Sequence, residues 1–306
     1  MRSRLDAVSV VVYRGVKSSG RTVVVLLSLL IFAAQLAFTG YALLAEPSLG
    51  VVTLLSVVPA LLLAGYVWYE DVTSREPLSL LLVTFLFGVL FAGFAAVVDS
   101  VLQIGFELIP VVGMALFFYL AVGPIEETVK WLAVRLYAYR SDRFDAVIDG
   151  AVYGAVAGLG FATVENSLYI SQQYLTAVQA GTQPFQTVFF TAGQRALVGP
   201  GHVIYSAFAG YYLGLAKFNR EHAGPIVVKG LLVAAFIHGT YDTLVTYLPL
   251  TPVGFLGFVI VYDGFWGYVL YRKLARYRRT YRRAMKGTGE AADASVDQES
   301  VPEFER

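Results

Sequence analysis

The chain has 306 residues, of which 57% are hydrophobic and 15% charged, with a formal net charge of +1. Residues 1–21 and 272–306 carry 21 of the 45 charged side chains, and the 250 residues between them carry the other 24. A water-soluble globule, with roughly 25% charged residues, could not cover its surface with so few, so a soluble enzyme and a disordered chain are excluded and an all-α, polytopic membrane bundle is expected.

A helix needs about 20 apolar residues to cross a bilayer. Eight stretches qualify, at roughly 22–45, 49–69, 78–98, 110–137, 146–170, 196–216, 226–248 and 252–271. The apolar run of the first is longer than the roughly 7–15 residues of a signal-peptide core. Basic residues alternate between the connections. Arg2, Arg4, Arg14, Lys17 and Arg21 precede the first span; Arg75, Arg140, Arg143, Lys217 and Arg220 fall in every second loop; a cluster from Arg272 follows the last. The intervening loops 46–48, 99–109, 171–186 and 249–251 contain no Lys or Arg. By the positive-inside rule the chain is a multi-pass cell-membrane protein with both termini cytoplasmic. The polar connection at 171–195 ends in the apolar run Phe185–Thr191, which reads as a re-entrant or interfacial segment.

Three regions follow: a basic N-terminus at 1–21, a transmembrane unit at 22–271, and a tail at 272–306 that is first basic, then acidic. Its last stretch, 287–306, reads as disordered and solvated. The basic run marks the cytoplasmic face rather than a nucleic-acid site, so the expected partners are the lipid bilayer and whatever lies within it. With no cysteine in the chain, disulfides, a thiol nucleophile and thiolate metal ligands are excluded.

An ionisable group in mid-bilayer costs about 2.5–3.5 kcal/mol on insertion scales, so it needs a partner or a task. The fourth span holds Gly123-Pro-Ile-Glu126-Glu127-Thr-Val-Lys130. Lys130 is at i+4 from Glu126 and i+3 from Glu127, so it can neutralise one carboxylate. A single Glu–Lys pair would only fix packing, whereas the second glutamate suits a general base. The fifth span holds Phe161-Ala-Thr-Val-Glu165-Asn166, among glycines that permit close helix approach. Arg195 directly precedes the sixth span, which holds His202, and the seventh holds His238 with Asp242 at i+4, where the carboxylate can orient the imidazole. Asp263 lies in the eighth. Asp99, Glu107 and Asp149 fall near span ends, and His222 in a loop, where solvation accounts for them. GxSxG, HExxH and GxGD are all absent.

EExxK at Glu126–Lys130, FxxxEN at Phe161–Asn166, His202 after Arg195, and HxxxD at His238–Asp242 occur in this order on successive spans. In this the chain resembles the PrsW family of intramembrane proteases, which is distantly similar to the CAAX prenyl protease and bacteriocin-processing enzymes. The resemblance covers about residues 60–270. It implies an intramembrane endopeptidase acting on a membrane-anchored protein, such as an anti-sigma-factor-like regulator. Glu126, Glu127, Glu165, His202, His238 and Asp242 would form its catalytic site, with Lys130, Asn166 and Arg195 in support. The expected mechanism is a glutamate base without metal. A divalent metal such as zinc, held by Glu127, Glu165, His202 and His238, is the alternative. A proton-coupled transporter or channel, or a scaffold locked by polar contacts, would use the same cluster.

Overall fold

The computed structural model describes residues 4–71, 73 and 75–288. The acidic tail expected at 287–306 lies almost wholly outside the described residues. Within them every regular element is helical, as lipid demands of a backbone that must satisfy its own hydrogen bonds. The helices are α1 (Arg4–Ala45), α2 (Ser48–Tyr69), α3 (Leu78–Glu107), α4 (Gly113–Phe117), α5 (Gly123–Leu136), α6 (Val147–Gln179), α7 (Pro184–Phe218), α8 (Ala223–Tyr247) and α9 (Pro252–Thr288). Six of them (α1, α2, α3, α6, α8 and α9) are long and apolar enough to cross a membrane. The other two expected spans correspond to the α4–α5 rod and to the polar-studded second half of α7.

Two boundaries differ from expectation. Residues 171–179 continue α6, and Phe185–Thr191 forms the first turns of α7, continuous with the sixth expected span. A short turn at Gly181, with φ +64°, is all that separates the two helices. At the other terminus, the basic run from Arg272 prolongs α9 as helix to Thr288.

Contacts between loops show that successive rods alternate in direction. At one end Arg143 donates to the Arg75 carbonyl, Lys217 to the carbonyls of Tyr139, Ser141 and Phe144, and Arg278 pairs with Glu70. At the opposite end the Tyr247 hydroxyl donates to the Val111 carbonyl.

The core is the α6–α7 pair. Most of α6 is buried, while α1, α2, α3, α8 and α9 present leucine, valine and phenylalanine outward. In lipid there is little hydrophobic gain from bringing helices together, so close packing must do it. Gly150, Gly154 and Gly158 form a stripe at four-residue spacing on α6. A Cβ on any of them would collide with the backbone carbonyl of Gly210, Ser206 or His202, respectively, on α7. The stripe therefore fixes the depth at which His202 sits.

A second close approach sets α5 against α8. Residues Phe118–Val122 form a π-helical turn directly before Gly123-Pro124. Proline has no N–H to donate and its ring crowds the carbonyl four residues back, which a widened turn relieves. A Cβ at Gly123 would meet the Ala235 carbonyl, and one at Gly239 the Phe118 carbonyl. These two glycines bring His238 beside the start of α5.

Candidate active site

The first turns of α5 carry Glu126, Glu127 and Lys130, all buried. Lys130 Nζ lies 2.8 Å from Glu127 Oε1 and 3.2 Å from Glu126 Oε2. It also lies 3.0 Å from His202 Nδ1 and 4.1 Å from the Phe161 ring centre. One ammonium thus joins both glutamates of α5 to the histidine of α7, with the aromatic face of α6 as its fourth wall.

Each histidine is held from behind by a carboxylate. His202 Nε2 is 2.8 Å from Glu165 Oε2, and His238 Nδ1 is 3.0 Å from Glu127 Oε1. The remaining nitrogens turn towards Glu126: His202 Nδ1 at 3.9 Å and His238 Nε2 at 3.7 Å from Oε2. Asp242 Oδ2 lies 3.4 Å from His238 Nε2, so the i+4 carboxylate does face the ring, although Glu127 makes the shorter contact. The two imidazole rings meet edge to face with centroids 5.3 Å apart.

Arg195 fastens Glu165, donating to its Oε2 at 2.8 Å and to Asn166 Oδ1 at 2.9 Å. Asn166 in turn donates to Ser56 on α2. Arg195 and Asn166 thus clamp α6 to α7 and α2, and Arg195 also lines the cavity beside Glu165.

A cavity of about 420 Å³ opens onto this cluster. Glu126, Glu165, Arg195, His202, His238 and Asp242 line it; Glu127 and Lys130 do not. One ligand atom each from Glu126, His202 and His238 lies within 4.8 Å of the other two. That set differs from the one expected from the sequence: Glu127 and Glu165 stand behind the histidines instead of converging with them.

Asp99 on α3 is the residue the sequence reading set aside as solvated. It is buried, lines the same cavity, and both its carboxylate oxygens lack a hydrogen-bond partner among the described residues. Tyr205 and Tyr241 also line the cavity, and the Tyr205 hydroxyl donates to Asp263 Oδ1 at 3.1 Å. Asp149, likewise expected in solvent, is fully buried at the N-terminus of α6, whereas His222 and Glu107 are exposed as expected. The signal for Asp99 was its place within a 30-residue helix, which extends well past the expected span end.

The description "PrsW family intramembrane metalloprotease" matches residues 76–285. Among curated proteins, the chain is 36% identical over 192 residues to Protease PrsW of Geobacillus kaustophilus (strain HTA426), covering 61% of this chain and 76% of the relative. It is 31% identical over 196 residues to Protease PrsW of Shouchella clausii (strain KSM-K16), covering 63% and 82%. The namesake of Bacillus subtilis (strain 168) is also 31% identical over 196 residues, covering 63% and 81%. No solved structure matches. The matched region contains all four motifs and every helix that lines the cavity, and the chain belongs to the PrsW family of intramembrane metalloproteases.

Proposed function

We propose that this chain cuts a peptide bond of a membrane-anchored protein within the bilayer, and that Glu126 activates the attacking water. The carrying observation is that Glu126 Oε2 faces a ring nitrogen of both His202 and His238 at the wall of one cavity. Glu126 takes a proton from water as oxygen attacks the scissile carbonyl, and returns it to the amine as the C–N bond breaks. Lys130, fixed by Glu127, offers Glu126 a positive neighbour throughout. His238 as imidazolium donates from Nδ1 to Glu127 and from Nε2 into the cavity, where an oxyanion needs a donor. Glu165 and Arg195 hold the His202 ring in register.

The donor set fits the metal that the family's description implies. Two imidazoles and one carboxylate form a set used by catalytic zinc, and a carboxylate behind each ring is the usual support for such ligands. Glu126, His202 and His238 would hold the ion, which would acidify a bound water and polarise the carbonyl. The five carboxylates of Asp99, Glu126, Glu127, Glu165 and Asp242 outnumber the two fixed cations Lys130 and Arg195, an imbalance that suits either an ion or protons taken up from water.

The substrate proposed on the strength of the family resemblance is a membrane-anchored protein, such as a regulator of the anti-sigma-factor kind. A proton-coupled transporter or channel is not favoured, since the relatives named are all proteases. The proposed protease unit spans 22–271, with both termini cytoplasmic. The gathering of Arg75, Arg143, Lys217 and Arg278 at one end of the bundle supports that orientation.

The test is purified full-length chain in lipid nanodiscs given a library of single-span peptides, with and without chelator. Wild-type protein is expected to cut some of them and Glu126→Gln none. Cleavage by Glu126→Gln at the wild-type rate would end the base role. Loss of wild-type cleavage on chelation, restored by zinc, would make Glu126 a ligand instead. Reporter fusions after residues 47, 109, 181 and 250 are expected on the outside; a cytoplasmic signal at 181 would overturn the orientation.

A further inference from the structure

A second group of buried acids lies far from the cavity. Asp71 and Glu76 belong to the connection between α2 and α3, and Asp149 to the first turn of α6. Asp149 precedes Glu165 by sixteen residues of one helix, about 24 Å at 1.5 Å per residue. All three are more than nine-tenths buried, at 8%, 2% and 0% exposure. One carboxylate oxygen from each lies within 4.8 Å of the other two.

The Glu76 and Asp149 carboxyls lie within hydrogen-bonding reach of each other, and the other hydrogen bonds to this group come from neighbouring donors. Asp71 Oδ1 accepts from the Thr73 backbone N–H at 2.9 Å and the Thr73 hydroxyl at 2.7 Å. Asp149 Oδ2 accepts from the backbone N–H groups of Asp145 and Ala146, each at 2.7 Å. Glu76 Oε2 accepts from the Tyr153 hydroxyl. That leaves Asp71 Oδ2 and Glu76 Oε1 buried with no partner among the described residues. Two orphaned oxygens, on side chains this enclosed, ask for a partner such as an ion or a water.

Nearby basic side chains are engaged elsewhere. Lys217 Nζ directs bonds to three carbonyl oxygens, those of Tyr139, Ser141 and Phe144. Arg143 donates to the Arg75 carbonyl, and the Arg75 guanidinium lies over the Tyr69 ring.

We propose that Asp71, Glu76 and Asp149 bind a hard divalent cation, Mg²⁺ or Ca²⁺, that ties the α2–α3 connection to the N-terminus of α6. The donors are all oxygen, with neither imidazole nor thiolate, which selects hard ions over zinc. Three oxygens spaced evenly around an ion bound at about 2.4 Å are about 4.2 Å apart, so oxygens that lie within 4.8 Å of one another close on one centre with a shift of about half an ångström. The Thr73 hydroxyl, 3.4 Å from Asp149 Oδ1, is a neutral fourth oxygen at the same place. The ion anchors the helix that carries Glu165 and the glycine stripe, and takes no part in the chemistry at the cavity.

The test uses the full-length chain in detergent, stripped with EDTA and then titrated with Mg²⁺, Ca²⁺ or Zn²⁺ while thermal unfolding is followed. Wild type is expected to gain about 5 °C at a hundredfold excess of Mg²⁺ or Ca²⁺ over Kd. The gain should vanish in Asp71→Asn and Glu76→Gln and persist in Glu126→Gln/His238→Gln. A gain that survives Asp71→Asn and Glu76→Gln, or none in wild type, overturns the proposal. If those variants do not fold, Mn²⁺ is counted by electron paramagnetic resonance on Glu126→Gln/His238→Gln. One tightly bound Mn²⁺ per chain is expected there. None would mean that the three acids share protons instead.

Discussion

The polar cluster has a sealed side and an open side, built from neighbouring residues of α5. On the sealed side, Lys130 donates to Glu126, Glu127 and His202, while Glu127 accepts from Lys130, His238 and Ser206, and neither lines the cavity. On the open side, Glu126, Asp242 and Asp99 face the cavity, and Asp99 has no hydrogen-bond partner among the described residues. Burying an ion pair rarely gains stability over apolar packing, but breaking one is expensive. The sealed side therefore holds geometry, and the open side keeps bonding capacity for something that enters.

The largest effect that tests this division is on rate. Glu126→Gln is expected to lower kcat/KM by about 10²–10⁴, or roughly 3–5 kcal/mol, with the melting temperature near wild type. Glu127→Gln should lose stability as well as rate, since it weakens charge-assisted bonds with both Lys130 and His238, each worth about 1.5–3 kcal/mol. Activity and unfolding measured on the same preparations decide the matter. Equal losses of stability in the two variants would erase the distinction between the sides.

Next comes the sealed side alone. Lys130→Met keeps much of the stem but strands two carboxylates, and is expected to cost about 3–5 kcal/mol of stability. Thermal unfolding in one detergent reads this directly. A melting temperature at or above wild type would show that the lysine is replaceable packing.

A smaller effect is expected at Asp99. Asp99→Asn removes an unpartnered buried carboxylate, so stability should hold or rise, while kcat/KM falls about tenfold, equivalent to 1.4 kcal/mol. The pH profile of kcat/KM should also change shape, because one titrating group has left the cavity. An unchanged profile and rate would make Asp99 a bystander.

Much of this arrangement was legible in the sequence. Six of the eight expected spans are helices long and apolar enough to cross a membrane, and the spacing of Glu126, Glu127 and Lys130 anticipated their contact. What was not legible was depth. Asp99 and Asp149 sat near the ends of hydropathy windows, yet α3 runs on to Glu107 and Thr73, from the α2–α3 connection, reaches Asp149 at the α6 N-terminus. Hydropathy averages over a window and is blind to a loop folding over a helix end. Nor could spacing tell which glutamate faces the cavity, because Glu126 and Glu127 are only about 100° apart on α5 and the choice depends on how α8 crosses it. Two glycines, Gly123 and Gly239, make that choice by letting the backbones touch.

The last expected effect, on stability alone, concerns the turn that leads into α4 and so into the whole α5 rod. The Val112 N–H donates to the Pro110 carbonyl at 2.7 Å, closing a three-residue turn around Val111, whose φ is 66°. Such a turn is strained, and a β-branched residue is among the least suited to its centre. Val111 is 83% exposed, so its side chain contributes little packing in return. Val111→Gly should relieve about 1–2 kcal/mol of left-handed strain. The greater freedom of glycine in the unfolded chain takes back about 0.5–1 kcal/mol. The net is a gain of up to about 1.5 kcal/mol, seen as a melting temperature higher by a few degrees. Val111→Ala keeps a Cβ and should gain much less. Because Val111 does not line the cavity, cleavage by both variants should match wild type. If Val111→Gly is instead less stable than Val111→Ala, the turn is not strained in the folded protein. A drop in activity at unchanged stability would mean that this turn, at the rim of the open side, helps to set the position of Glu126.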